Sequence, residues 1–167
     1  DGKPTPENTV EMGRVALQYV HDLNPTLPLV VYGKSLGGNV AMRSVFEMKG
    51  KVSPRLLIVD SSFISYRAAA KAVMKKSFWT WAFQPFAHTL FSDQWAVGDK
   101  MSSLQEVPLV VIHSRQDEVI PFRMGQEIYD KATSTKDFWI KESGRHSQTF
   151  NDSEGQKLKA RLLKALP

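Results

Sequence analysis

The sequence predicts an α/β protein built on a mostly parallel sheet. Three observations carry that reading: short uncharged apolar runs recur along the chain, stretches of helical spacing separate them, and turn residues mark the joins. The 167 residues, 42% of them apolar, suffice for one domain with its own core, and no repeat or low-complexity segment interrupts them. A charged fraction of 23% excludes a disordered tail. No apolar run approaches the roughly 20 residues of a membrane-spanning helix, and Asp1-Gly2-Lys3-Pro4 lacks the basic-then-apolar order of a secretory signal.

Taken in order, Glu7 to Asn24 reads as a helix, with Val10, Gly13, Leu17 and Val20 three or four apart and Asn24-Pro25 ending it. Leu27 to Tyr32 is a continuous β-branched run, the pattern of a parallel strand buried on both faces. A helix from Leu36 to Lys49 follows, stopped by Gly50. Arg55 to Val59 and Val107 to Ile112 repeat the buried-strand pattern. Pro121 to Ala132 is expected to be a helix with proline in its first turn. Lys136 to Lys141 alternates as a last strand, and Glu154 to Leu166 closes the chain as an amphipathic helix with Leu158, Leu162 and Leu166 four apart.

Between the second and third strands lies a segment of different character, residues 63–97, in which Phe63, Tyr66, Phe78, Trp79, Trp81, Phe83, Phe86, Phe91 and Trp95 crowd together. Such density fits either a lid over an apolar substrate or a buried helical pair. If it is a lid, Phe63, Trp79 and Trp81 are the expected substrate contacts.

Zero cysteines exclude disulfides, thiolate nucleophiles and cysteine-ligated metals. The net charge of +5 comes from 22 basic residues interleaved with 17 acidic ones, which speaks against nucleic-acid binding. The local basic cluster is Arg67, Lys71, Lys75 and Lys76, either a solvated helix face or a contact for acidic lipid or another anionic ligand.

Directly after the first strand stands Gly33-Lys34-Ser35-Leu36-Gly37-Gly38, a G-x-S-x-G pattern opening into a helix. The sharp turn puts Ser35 at the strand's C-terminal edge beside the helix amides, and side chains at Gly33 and Gly37 are expected to collide with the neighbouring strand and helix. A phosphate-binding P-loop is excluded, because Pro28 stands where its first glycine belongs and strand residues fill the loop. A serine nucleophile needs a base, and the base an orienting acid. His146, after the last strand and near Gly144, supplies the first; Asp117, just past the third strand, supplies the second, with Asp60 as the alternative acid. His21 falls in the first helix, His88 in the aromatic segment, and His113 at a strand end, where a structural role is expected.

In Val30 to Gly38, Ile58 to Phe63, Val107 through Pro121, and Gly144-Arg145-His146, the chain resembles the α/β-hydrolase superfamily. Within it the chain resembles the Bem46-like branch of serine hydrolases, with likeness also to prolyl oligopeptidase-type domains. The resemblance implies that Ser35 attacks an acyl carbonyl, His146 shuttles the proton, Asp117 orients it, the Leu36 amide serves the oxyanion hole, and residues 63–97 form a cap. It implies no metal and no organic cofactor.

It also implies further strands before Leu27, so that residues 1–167 form the C-terminal portion of one domain, with four strands of a larger sheet. Their absence leaves the strand 27–32 as an open edge, to be covered by the upstream segment or a second copy. That upstream segment would carry the second oxyanion amide. The family's glycine after the third strand is replaced here by His113.

The expected function is hydrolysis of an ester, thioester or amide with an apolar acyl group. The alternatives are a peptidase of prolyl oligopeptidase type and a non-catalytic interaction domain of the same fold. Localisation is expected to be cytoplasmic or at a membrane surface.

Overall fold

The computed structural model describes residues 4–76 and 91–165. Within these residues four parallel strands, β1 (Val30–Lys34), β2 (Leu56–Asp60), β3 (Leu109–Ser114) and β4 (Lys136–Lys141), form one sheet in that order. Among the described residues five helices accompany it: α1 (Pro6–Leu23), α2 (Leu36–Glu47), α3 (Tyr66–Met74), α4 (Phe122–Lys131) and α5 (Ser153–Ala165), with a 3-10 helix at Gly98–Leu104. Local chemistry sets the helix starts. The Thr5 hydroxyl accepts the Asn8 N–H at 3.2 Å ahead of α1, and Ser65 accepts the Ala68 N–H at 3.0 Å ahead of α3.

The two faces of the sheet bury alternate residues. Leu57, Val59, Leu109 and Val111 pack with Met42 and Val45 of α2 and Ile128 of α4. Ile58, Val110, Ile112 and Trp139 pack on the other side with Leu162 of α5. The central strands β2 and β3 are therefore covered on both faces, as their uninterrupted apolar runs require.

The first strand departs from that expectation. Among the described residues β1 pairs only with β2, and its residues are half-buried or exposed apart from Gly33. It is an edge among those residues, and Tyr32 within it and Leu27 just before it remain in contact with solvent.

The first three strands also run further than their apolar runs. They end at Lys34, Asp60 and Ser114, where Lys34 pairs with Asp60 and Ser114 with Lys141. The ladder continues because backbone pairing is indifferent to side-chain polarity, and neighbouring elements bury the polar side chains of Asp60, His113, Ser114 and Lys141. A layer of buried polar groups thus caps the C-terminal edge of an apolar sheet.

Candidate active site

β1 passes into α2 through Ser35, whose φ of 52° and ψ of −124° lie outside the regions open to ordinary residues. The end of β2 holds this strained turn. The Ser35 N–H donates to the Asp60 carbonyl at 2.8 Å, and the Ser62 hydroxyl donates to the Ser35 carbonyl at 2.7 Å. Strand and helix approach so closely that a Cβ on Gly33 would stand 2.6 Å from the Gly37 carbonyl and 2.7 Å from the Gly38 Cα. The second close approach falls on Gly38, where a Cβ would meet Ser62, and not on Gly37, which has open space among the described residues. The Leu36 N–H belongs to the first turn of α2, where helix geometry leaves amides without intrahelical acceptors and the dipole is positive.

The loops after β3 and β4 bring an acid and an imidazole to the same edge. The Ser35 hydroxyl lies 2.9 Å from His146 Nε2, and His146 Nδ1 lies 2.8 Å from Asp117 Oδ2. Asp117 Oδ1 accepts the N–H groups of Val119 and Ile120, both at 2.8 Å. Burial pushes the Asp117 carboxyl up, yet the bonds from His146, Ile120 and Val119 outweigh it and hold the group below its ordinary value. Asp117 is thus a fixed anion whose side chain is closed to solvent, while His146 keeps 17% exposure towards the site. An imidazole anchored on one nitrogen and hydrogen-bonded to a hydroxyl on the other can take that hydroxyl's proton.

His113 lies beneath this pair. Its Nε2 is 2.9 Å from the Ile120 carbonyl and 3.6 Å from Asp117 Oδ2. Burial holds its pKa down, favouring the neutral ring, whose Nε2–H then donates to Ile120 and steadies the loop that carries Asp117. The alternative acid, Asp60, does not face His146. Its carboxylate accepts the hydroxyls of Tyr32 at 2.6 Å, Ser61 at 2.9 Å and Thr149 at 2.6 Å.

The expected substrate contacts separate. Phe63 is buried with Ala69, Ala72, Ile120 and Met124, joining α3 to the body rather than facing an open surface. Trp79, Trp81 and His88 lie outside the described residues. Leu36 is exposed and borders a groove of about 520 Å³ that Tyr66, Phe91 and Trp95 also line. Arg67 is tied to the Phe91 carbonyl at 2.7 Å, while Lys71, Lys75 and Lys76 are exposed. Among the described residues, no group of three or more His, Asp or Glu is arranged to hold a metal ion.

Sequence reading missed Ser62, Lys141 and Thr149. The available signal was polar residues continuing without a break from apolar strands, as in Asp60-Ser61-Ser62 and at Lys141.

Solved structures share this architecture. A lipase-esterase related protein from Clostridium acetobutylicum superimposes with a TM-score of 0.72 over 100% of this chain and 78% of its own, at 12% identity. An esterase from Pyrococcus furiosus does so with a TM-score of 0.68 over 93% of this chain and 60% of its own, at 21% identity. The chain has the α/β-hydrolase fold.

Among sequence relatives, the uncharacterized protein YfhR of Salmonella typhimurium is 26% identical over 162 residues, 90% of this chain and 52% of the relative. The lysophosphatidylserine lipase ABHD12 of Danio rerio is 26% identical over 143 residues, covering 81% and 37%. The chain spans about half the length of the YfhR proteins it matches. No protein-family model matches it.

Proposed function

We propose that the protein is a serine hydrolase that cleaves an ester, thioester or amide through an acyl-enzyme. The observation that carries the proposal is the continuous relay from Ser35 through His146 to Asp117, at 2.9 and 2.8 Å. In this mechanism Ser35 Oγ attacks the acyl carbonyl carbon while His146 Nε2 takes the hydroxyl proton. The carbonyl oxygen becomes an oxyanion facing the Leu36 N–H. Collapse breaks the bond to the leaving group, which receives the proton from His146, and water activated by the same imidazole then frees the acyl group from Ser35. The Asp117 anion stabilises the imidazolium formed at each stage.

An apolar acyl group is the substrate class we favour. The groove beside Leu36 is lined by aromatic side chains, solved neighbours include esterases, and ABHD12 is a lipase. The exposed Lys71 of α3, with Lys75 and Lys76 just past its end, suits an anionic lipid surface. The motifs at Val30 to Gly38 and Gly144 to His146 support a place for it in the Bem46-like branch.

A fluorophosphonate probe tests the reading on the full encoded chain. The expected result is covalent labelling that Ser35→Ala abolishes. An unlabelled wild type rejects it in favour of a non-catalytic interaction domain.

The same reading puts further chain, upstream residues or a second copy, against the open edge of β1. Apolar residues including Leu17, Val20 and Val30 line a groove beside that edge. Slow amide exchange at the outward N–H groups of residues 30–34 is the expected result in the full chain; rapid exchange there removes the proposal.

A further inference from the structure

The loop between β4 and α5 carries His146 through two unusual backbone positions, Gly144 at φ +112° and Ser147 at φ 60°. A loop of this kind does not hold an imidazole to a few tenths of an ångström by its own propensities. Two buried groups pin its far end at one residue, Thr149. The Thr149 hydroxyl donates to Asp60 Oδ1 at 2.6 Å, and its carbonyl accepts from Lys141 Nζ at 3.0 Å. Lys141 also pairs with Asp152 Oδ2 at 2.8 Å. The near end is tied by Ser114, whose hydroxyl donates to the Gly144 carbonyl at 2.7 Å.

Asp60 does more than hold the loop. Its backbone carbonyl accepts the Ser35 N–H at 2.8 Å, so one residue of β2 touches both the serine turn and the histidine loop. The Tyr32 hydroxyl reaches the same carboxylate, and burial first, with the carboxylate next, pushes the phenol upward, keeping it a donor. Asp60 is 0% exposed and Lys141 1%. Burying such groups is costly in general, and apolar replacements often serve stability as well or better. Their convergence on one loop residue fits a demand for geometry.

We propose that Asp60, acting through Thr149, is a positioning residue that sets the distance between His146 and Ser35. This rests on the hydrolase reading above. Lys141 sits so deep that its replacement threatens the fold, so the decisive variants are Thr149→Val, which keeps the shape and deletes the hydroxyl, and Thr149→Ser, which keeps the hydroxyl.

In the full chain, Thr149→Val is expected to slow fluorophosphonate labelling and to lower kcat for a soluble p-nitrophenyl ester by about ten- to a hundredfold. That is the scale on which a displacement of about 1 Å costs rate. KM should stay within about twofold, and Thr149→Ser should restore the wild-type rate. Equal rates in Thr149→Val and wild type overturn the positioning role and leave the hydrolase reading intact. So does a Thr149→Ser variant as slow as Thr149→Val. A wild type that the probe does not label removes both.

Discussion

Replacing Ser35 by alanine is expected to lower ester turnover by on the order of a millionfold, the scale seen when a nucleophile of such a relay is deleted. The effect is this large because no other described side chain bonds the imidazole at that nitrogen. The only described hydroxyl bonded to His146 Nε2 is that of Ser35, held there by a strained backbone and by β2. On the proposed mechanism, binding and the amide at Leu36 should leave a residual acceleration of about a thousandfold or more over water. His146→Ala should fall to a similar floor, and the double variant should fall no further, since the residues act as a unit. The measurement is kcat for a short-chain p-nitrophenyl ester. A Ser35→Ala enzyme keeping even a hundredth of the wild-type rate would point to a different nucleophile.

Asp117→Asn should cost roughly ten thousandfold in kcat, through the proton inventory of the site. The two backbone N–H groups of Val119 and Ile120 point at Asp117 Oδ1 and demand an acceptor there. An asparagine must therefore keep its carbonyl oxygen on that side and turn its NH₂ towards His146 Nδ1. A donor at Nδ1 forces the imidazole proton onto Nε2, where it faces Ser35 and can no longer accept the hydroxyl proton.

The same variant has a signature in stability. The folded Asp117 carboxyl lies below its ordinary value, so its contribution is fully present above the unfolded pKa and is lost as pH falls through the folded one. The stability difference between wild type and Asp117→Asn should therefore shrink on acidification through and below the ordinary carboxylate range. Urea denaturation across that range measures it. A difference that stays constant with pH would falsify the account of Asp117 as a hydrogen-bonded anion.

Much of this architecture is legible in the linear chain, for reasons that differ by element. β2 and β3 are uninterrupted apolar runs because both of their faces are covered, and β4 alternates because Phe138 and Trp139 serve opposite faces. Strand ends are less legible, since pairing continues into Asp60, His113 and Ser114 while the apolar signal stops. The run at Leu27 to Tyr32 has the composition of a doubly covered strand, yet β1 is an edge among the described residues. Composition records a preference for burial, and only neighbours supply it. Phe63 illustrates the converse: its aromatic context named no neighbours, and the fold packs it with Ile120 and Met124.

The sequence by itself determined the parallel α/β architecture, the G-x-S-x-G turn at Ser35 and the chain order of serine, acid and histidine. Each of these is a local signal, written in the periodicity of one element or the backbone demands of one turn. Only the tertiary structure decided that Asp117 rather than Asp60 faces His146, that Gly38 rather than Gly37 makes the second close approach, and that Thr149 joins Asp60 and Lys141. Ser35 and His146 are 111 positions apart, and Asp60 and Thr149 are 89 apart. At such separations contact depends on which strands become neighbours and in what register, because that is what brings distant polar groups to one buried edge.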